Sequence, residues 1–504
     1  MIVKDEEELL PEFLRRARGL WDELRVVDTG STDATPRLLE EAGATVIQAP
    51  WTGDFSAARN RSLDGARGDW ICVLDPDEMA SAEFVAAARA ILADPTAGAA
   101  TLRLLNRLPH GHVREARLLR LFRNDPAIRF RHAIHEDPSE GVQAHLRVTG
   151  RRLVHLEGPV DHLGYVRARA RAKDKKARDV ALLVRCLDED PHDLYSHLKL
   201  LEQARFWGDR DLWVAAASRA RAAVEAAPDR LAATPHAGEL LVLVAEGLPL
   251  GPAAALAWLD ERSPGTQPAA ALRLRRGELL ERLGRAGEAA EAFESARALA
   301  PVTSNIQLAT VRPLLGLARL AIARGALQEA AARVEEGLDH APQDPEALLA
   351  AVTLAAARSG PEGIRAFVAA HRARHGDGDE LASAAGEGAL RAGDRALALE
   401  VLAGRPGRWL AVARLAGGDL DGARDAASAA AGADPAAALV GLLADLAASR
   451  DSELDLDLTP EEANAAMRGI AAALRASARA EVREALRRAA PAVEGAFPWL
   501  GAAL

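Results

Sequence analysis

Residues 70–78, WICVLDPDE, place three carboxylates directly behind a short apolar run. Asp75 and Asp77 flank Pro76, which cannot continue a helix and biases Asp75 toward an extended backbone. In such a segment alternate side chains share one side, so these two carboxylates project together about two residue rises apart. Two converging carboxylates make a seat for one hard divalent cation. A lone DxD is more often an acidic turn after a strand, so the surrounding order of elements has to decide between the two.

Trp, Ile, Val and Leu in residues 70–74 suit a strand buried on both faces, as in a parallel sheet covered by crossovers. The acids then lie at the strand's carboxyl end, the edge at which open α/β sheets bind ligands. The preceding chain repeats strand, acid and helix. Residues 1–3 read as the tail of a shortened first strand, or of one that begins upstream of Met1. Residues 4–8 form a charged turn, and Leu9, Leu10, Phe13, Leu14 and Ala17 recur at helical spacing up to Gly19. A second strand, ELRVVDT, carries Asp28 at its end; Ser31 or Asp33 is placed to cap the helix 34–41. A third strand covers 45–48, and FSAARNRSLDGA is a helix with Arg59 and Asn60 near its start. This βα order predicts a doubly wound sheet with Asp28, Asp75 and Asp77 on one edge of one sheet.

Several function classes are disfavoured by composition. The 504 residues exceed one core and suggest about two to four domains. A formal net charge of -10 argues against a general nucleic-acid or anionic-membrane binder. Two cysteines, Cys72 and Cys186, fit a reducing compartment and no disulfide scaffold. No run reaches the about 18 apolar residues of a membrane helix, and the acidic start lacks the regions of a signal peptide. The expectation is a cytoplasmic protein, at most peripheral at the inner face of the membrane through a partner. Seven of the 13 histidines fall from His110 to His162; His132 and His135 are three apart but have no Cys or His pair to complete a zinc site.

MIVKDEE, VVDTGSTD, FSAARNRSL and GDWICVLDPDE, followed by IHEDP at 134–138 and DHLGY at 161–165, occur in one order. That order resembles the successive nucleotide-sugar motifs of family 2 glycosyltransferases of the GT-A fold, in a bacterial branch with a helical repeat after the catalytic domain. The resemblance covers about the first 190 residues. It implies a nucleotide-diphosphate sugar as donor and Mg²⁺ or Mn²⁺ as cofactor. It also implies that Asp28 receives the nucleotide base, with Lys4, Asp5 and Glu6 lining the same pocket. Asp75 lies near the ribose and the metal, Asp77 binds the metal, and His162 completes the metal site. Arg59 lies near the diphosphate. Glu136 is placed as the general base of an inverting enzyme, and His135 beside it orients that carboxylate. The family's usual Asn of the opening KNE is Asp5 here.

The chemistry is coherent on its own terms. A nucleotide diphosphate leaves only when its developing charge is neutralised, which a divalent ion and Arg59 would do. A carboxylate such as Glu136 can take the proton of the attacking hydroxyl or thiol. Glu136 and Asp137 also read as solvated loop charge, and the strand-like residues 101–131, antiparallel by expectation, carry Arg103, Arg107, Arg114 and Arg117, which suit an acidic acceptor or plain solvation.

After Tyr165 the texture becomes a basic helix in which Arg167, Arg169, Lys173 and Lys175 are placed to close over the diphosphate or to face solvent. From about 193 onward Ala- and Leu-rich segments alternate with Gly turns and Pro stops. Residues 275–301 match a tetratricopeptide unit, with small Gly277 and Ala289 letting helices approach and Phe293 filling the gap; 314–342 is a second copy, 409–435 a degenerate third and 198–228 a first. Successive units are irregularly spaced. The expected architecture is a GT-A α/β domain over 1–170, tetratricopeptide-like helical repeats over 171–450, and a helical cap over 451–504 in which Trp499 covers the last repeat. A solenoid of this kind presents a concave face to a protein or peptide, or mediates self-association.

Two functions follow from different classes. One is a metal-dependent inverting glycosyltransferase acting on a saccharide, lipid-linked glycan or peptide/protein acceptor, with the repeats positioning the acceptor or a partner. The other is a catalytically weak or inactive glycosyltransferase-like scaffold whose repeats mediate protein–protein interaction.

Overall fold

The computed structural model describes residues 1–107, 113–163, 168–300, 305–432, 434–450, 458 and 460–504. The expected turn at Pro109 to Gly111, Tyr165, Arg167, residues 451–457 of an acidic link expected over 449–458, and Thr459, the expected start of the final helices, lie outside the described residues. So do the side chains of Arg107, Arg114, Arg169, Lys173, Lys175 and Glu461. The chain forms two compact units, one of residues 1–203 with 215–231, the other of 204–214 with 232–504.

In the first unit the order is β1 (Ile2–Val3), α1 (Leu10–Arg16), β2 (Arg25–Asp28), α2 (Thr35–Glu41), β3 (Thr45–Gln48), α3 (Phe55–Leu63), β4 (Trp70–Cys72) and β5 (Glu78–Ala80). Then follow α4 (Ala82–Ile91), β6 (Ala97–Arg107), β7 (Val113–Arg123), α5 (Ser139–Thr149), β8 (Arg152–His162) and α6 (Ala168–Glu189), with α7 (Leu194–Phe206) up to residue 203 and α8 (Arg210–Ala226) from residue 215. Among the described residues the strands make two sheets, a parallel one in the order β1-β2-β3 and a mixed one in the order β4-β7-β6-β8-β5.

The single-sheet expectation is therefore corrected. Asp28 ends a strand of the parallel sheet, whereas Asp75 follows β4, which pairs antiparallel with β7 at an edge of the second sheet. Hydrophobicity could not distinguish these cases, because an edge strand over a core is as apolar as a central one. Residues 70–72 are only half-buried, and Trp70 is covered by the Arg123 guanidinium 4.2 Å from its ring. What joins the two sheets is a shared core: Val3 and Val26 of the first pack in one apolar cluster with Leu74, Met79, Leu102 and Val160 around the second.

The acidic stretch is a turn, the Glu78 amide donating to the Asp75 carbonyl at 3.0 Å, but it leads straight into another strand. It runs between β4 and β5, the two opposite edges of the five-stranded sheet, with Asp75 and Asp77 in the crossing and Glu78 as the first residue of β5. The antiparallel hairpin of β6 and β7 agrees with expectation. Its ladder shifts register where Ala100 faces Leu121 but Thr101 faces Leu119, so Arg120 is the extra residue of a bulge. Neither Ser31 nor Asp33 caps α2 in the expected way. Ala34 occupies the cap position without a side-chain bond, Ser31 accepts from the Asp5 amide, and Asp33 accepts from the amides of Thr35 and Glu7.

The unit continues beyond residue 170 because the following helices are bonded to it. Arg185 of α6 donates to the Gly53 carbonyl at 2.7 Å, and Tyr195 of α7 donates to the His135 carbonyl at 2.6 Å.

The second unit is built from helix pairs. Ala270–Arg282 pairs with Ala286–Arg297, Val311–Ala323 with Leu327–His340, Asp379–Arg391 with Arg395–Val401, and Arg408–Ala416 with Leu420–Ala430. Each pair turns in three residues whose middle one is a glycine at positive φ: Gly284, Gly325, Gly393 and Gly418. Only a residue without Cβ takes that left-handed step freely, which ends the first helix at the same point each time. Phe293 is fully buried between Gly277 and Gly316, where an added Cβ would come within 2.5 and 2.6 Å of its ring. Trp499 packs near the carboxyl end, its indole donating to Asn464 and lying under Arg468.

Candidate active site

Helix α3 is started by Asp54, whose carboxylate accepts the Ala57 amide, and it turns Arg59 inward with Ala58, Ser62 and Leu63. Arg59 is 3% exposed. Its Nη2 donates to Asp75 Oδ1 at 2.6 Å and its Nε to Glu136 Oε1 at 2.9 Å. One guanidinium thus holds two carboxylates that are far apart in the chain. Arg120 extends the chain of charges: it lies 3.6 Å from Asp75 Oδ2 and donates to Glu78 Oε1 at 2.6 Å. Glu78, 2% exposed, turns its other oxygen to the Asp75 amide at 3.0 Å.

These pairings set the ionisation. Burial opposes charge on Asp75, but Arg59 and Arg120 hold its carboxyl down at about 2. Burial, aided by repulsion from Asp75 and Asp77, pushes Glu78 up against the pull of Arg120. Arg59 is itself disfavoured by burial, yet its two carboxylates raise it above the ordinary value. Two buried nitrogens, Nη1 of Arg59 and Nε of Arg120, have no hydrogen-bond partner among the described residues. Unsatisfied guanidinium donors at such a place are what an incoming anion would satisfy.

Beside this network Glu78 of β5 stands opposite His162 of β8, and the Leu163 amide donates to the Asp77 carbonyl. This register brings His162 Nε2 to 3.2 Å from Asp77 Oδ2. Burial disfavours the proton on His162, but the bond to Asp77 and the neighbouring carboxylates raise its pKa above the ordinary histidine value. Asp75, the third member of the expected metal set, is turned to Arg59 and Arg120 instead. Among the described residues no three His, Cys, Asp or Glu side chains form a group that could hold a metal ion. Asp77 and His162 still fit a divalent ion, because Mg²⁺ and its relatives need only one or two protein ligands when substrate phosphates and water fill the rest.

The donor-pocket residues form a second group. Asp28, 1% exposed, accepts from the amides of Gly30 and Ser31 with one oxygen and from Gln48 with the other. Asp5, at φ 53°, accepts from the amide and hydroxyl of Thr32, while the Glu6 amide donates to Thr35. Both carboxylates thereby shape the turn over residues 29–35, and Lys4 is exposed. His135 lies next to Glu136 in sequence, but its ring bonds Gln203 of α7 at 3.3 Å. Arg117 is taken up by Glu157 at the surface.

Glu78 and Arg120 are the two charged members of the site to which the sequence assigned no role. The fourth letter of DPDE was available as a signal for Glu78. Nothing in ARLLRLFR marks the bulge that aims Arg120.

Residues 1–136 match the family model described as glycosyl transferase family 2. A TPR repeat-containing protein of Synechococcus elongatus is 41% identical over 202 residues, covering 40% of this chain and 50% of that protein. An uncharacterized glycosyltransferase of Rickettsia felis is 34% identical over 84 residues, 17% of this chain and 29% of that one. The SPbeta prophage-derived glycosyltransferase SunS of Bacillus subtilis is 24% identical over 198 residues, 38% and 45% of the two chains. The chain spans half the length of the first of these relatives and less of the others. Among solved structures, S. aureus TarS 1-349 aligns with a TM-score of 0.31 at 15% identity, covering 56% of this chain and 90% of that one. The match of the family model, together with the described folds of the two units, makes residues 1–136 a glycosyl transferase family 2 domain, carried in one chain with tetratricopeptide-like helical repeats.

Proposed function

We propose that the protein transfers a sugar from a nucleotide-diphosphate donor to an acceptor hydroxyl or thiol with inversion at the anomeric carbon. The observation that carries this reading is the single guanidinium of Arg59 gripping Asp75 and Glu136 at 2.6 and 2.9 Å. It sets a donor-side acid and a candidate base at a fixed separation.

In this reading Asp28 and the turn that it folds receive the nucleotide base, with Lys4, Asp5 and Glu6 along the same pocket. Asp75 faces the ribose side, and the buried donors of Arg59 and Arg120 favour the diphosphate. Asp77 and His162 would hold a divalent ion such as Mg²⁺ or Mn²⁺, and such an ion would supply positive charge for a departing diphosphate. Glu136 accepts the acceptor's proton as the new glycosidic bond forms and the bond to the donor phosphate breaks. Its pairing with Arg59 keeps it in place. The helical repeats present the acceptor, or a protein or peptide partner, to this domain. A cytoplasmic location belongs to the same proposal, supported by two unpaired cysteines and by the absence, among the described residues, of a helix long and apolar enough to cross a membrane.

The test is incubation of the purified chain with a panel of nucleotide sugars and Mn²⁺ or Mg²⁺, reading donor hydrolysis and transfer. Turnover with one donor, abolished by Asp77→Ala, is the expected result. Neither binding nor hydrolysis of any donor would sink the enzyme reading and leave the scaffold reading in its place.

A further inference from the structure

Glu136 stands in a loop whose backbone is held in an unfavourable conformation. Within residues 131–137, His132 has φ 72° and His135 has φ 56°, both in the left-handed region that non-glycine residues avoid. Each such residue costs on the order of 1–3 kcal/mol and persists only where the surroundings over-determine it. Some of those surroundings are local. Arg131 and Asp137 exchange backbone hydrogen bonds at 3.1 Å, and the Phe55 amide donates to the Ala133 carbonyl at 2.8 Å.

The remaining grip comes from α7. The Tyr195 hydroxyl donates to the His135 carbonyl at 2.6 Å, and its ring stacks on His132 with centroids 3.8 Å apart and planes 20° apart. One side chain therefore engages both strained residues. The carbonyl of His135 belongs to the peptide plane that also contains the Glu136 nitrogen, so pinning this oxygen fixes the plane from which the Glu136 side chain departs. Gln203, further along the same helix, reaches the His135 ring at 3.3 Å and limits its rotation. Burial, then the surrounding carboxylates, push the Tyr195 phenol above its ordinary value, which keeps it a donor.

We propose that Tyr195 is a positioning residue for Glu136, locking the loop 131–137 so that the carboxylate stays aimed at Arg59. The proposal rests on the reading of Glu136 as the base. It also means that a helix beyond the residues matched by the glycosyltransferase family model completes the site.

The experiment uses the full chain with Tyr195→Phe, which removes the hydroxyl and keeps the stacked ring, and Tyr195→Ala, which removes both; Glu136→Gln is the reference. Amide hydrogen exchange at Arg131, Asp137 and Phe55 is measured together with kcat and the donor KM. Loss of one buried hydrogen bond corresponds to about a three- to tenfold change in an opening equilibrium. Tyr195→Phe is expected to speed exchange at these amides and to lower kcat by about that factor, with donor KM unchanged, and Tyr195→Ala is expected to exceed it. Unchanged exchange overturns the proposal, as does faster exchange with kcat unaltered. A rise in donor KM alone overturns it too, by assigning Tyr195 to donor binding. Wild-type turnover in Glu136→Gln, or no turnover in the wild type, would place the failure in the base assignment, and the positioning role would fall with it.

Discussion

At the scale of single residues, the site is a line of alternating charges, Glu136, Arg59, Asp75, Arg120 and Glu78, with Arg59 and Glu78 almost fully buried. A buried ion pair is weak support for stability, but breaking one leaves an uncompensated charge out of water. Arg59→Ala takes the guanidinium from Glu136 and leaves Asp75 with Arg120 alone, and is expected to cost about 3–5 kcal/mol, read as a lower urea midpoint of the first unit. Arg59→Lys keeps the charge but not the fork that serves two partners, so it should recover only part of that loss. Glu136→Gln retains an oxygen for Arg59 and loses the basic site. Its kcat is expected to fall by about two to four orders of magnitude with donor KM little changed. Steady-state kinetics with the identified donor would check both values, and a variant with full kcat would exclude Glu136 as the base.

At the scale of elements, three devices position these side chains. The crossing from β4 to β5 carries Asp75 and Asp77 across the end of the mixed sheet, the bulge in β7 turns Arg120 toward them, and the pairing of β5 with β8 sets His162 beside Asp77. In the repeats, the comparable device is the close approach of helices over Phe293. Removing that ring leaves a cavity lined by two glycines that cannot fill it. Phe293→Ala is therefore expected to destabilise the second unit by about 3–5 kcal/mol, measured by urea denaturation. The first unit's donor affinity serves as the control and should not change.

For the whole molecule, stability resides in apolar cores. The described residues contain no disulfide, and no group of three potential metal ligands cross-links elements. If a divalent ion serves chemistry alone, chelation separates function from folding. EDTA is expected to abolish sugar transfer, leave far-UV circular dichroism and the thermal midpoint unchanged, and be reversed by Mn²⁺ or Mg²⁺. A fall of the midpoint on chelation would instead make the ion structural.

The sequence by itself determined the order of the first strands and helices, the α/β domain followed by paired helices, and the short segments that carry Asp28, Arg59, Asp75, Asp77, Glu136 and His162. Those features are local: strand and helix periodicity, Gly and Pro punctuation, and motifs carried on short segments such as VVDTGSTD and DPDE. Phe293 between small residues was legible for the same reason, because the offsets within one repeat set which side chains meet. Only the tertiary structure decided that Asp28 and Asp75 belong to different sheets, that Asp75 faces Arg59 while Asp77 faces His162, and that Arg120, Glu78 and Tyr195 complete the arrangement. Pairing partners, bulges and bonds such as that from Tyr195 to His135, 60 residues apart, depend on which distant segments are brought together. Periodicity along a chain records which face of an element is apolar, and it is the same whether that face meets one neighbour or another.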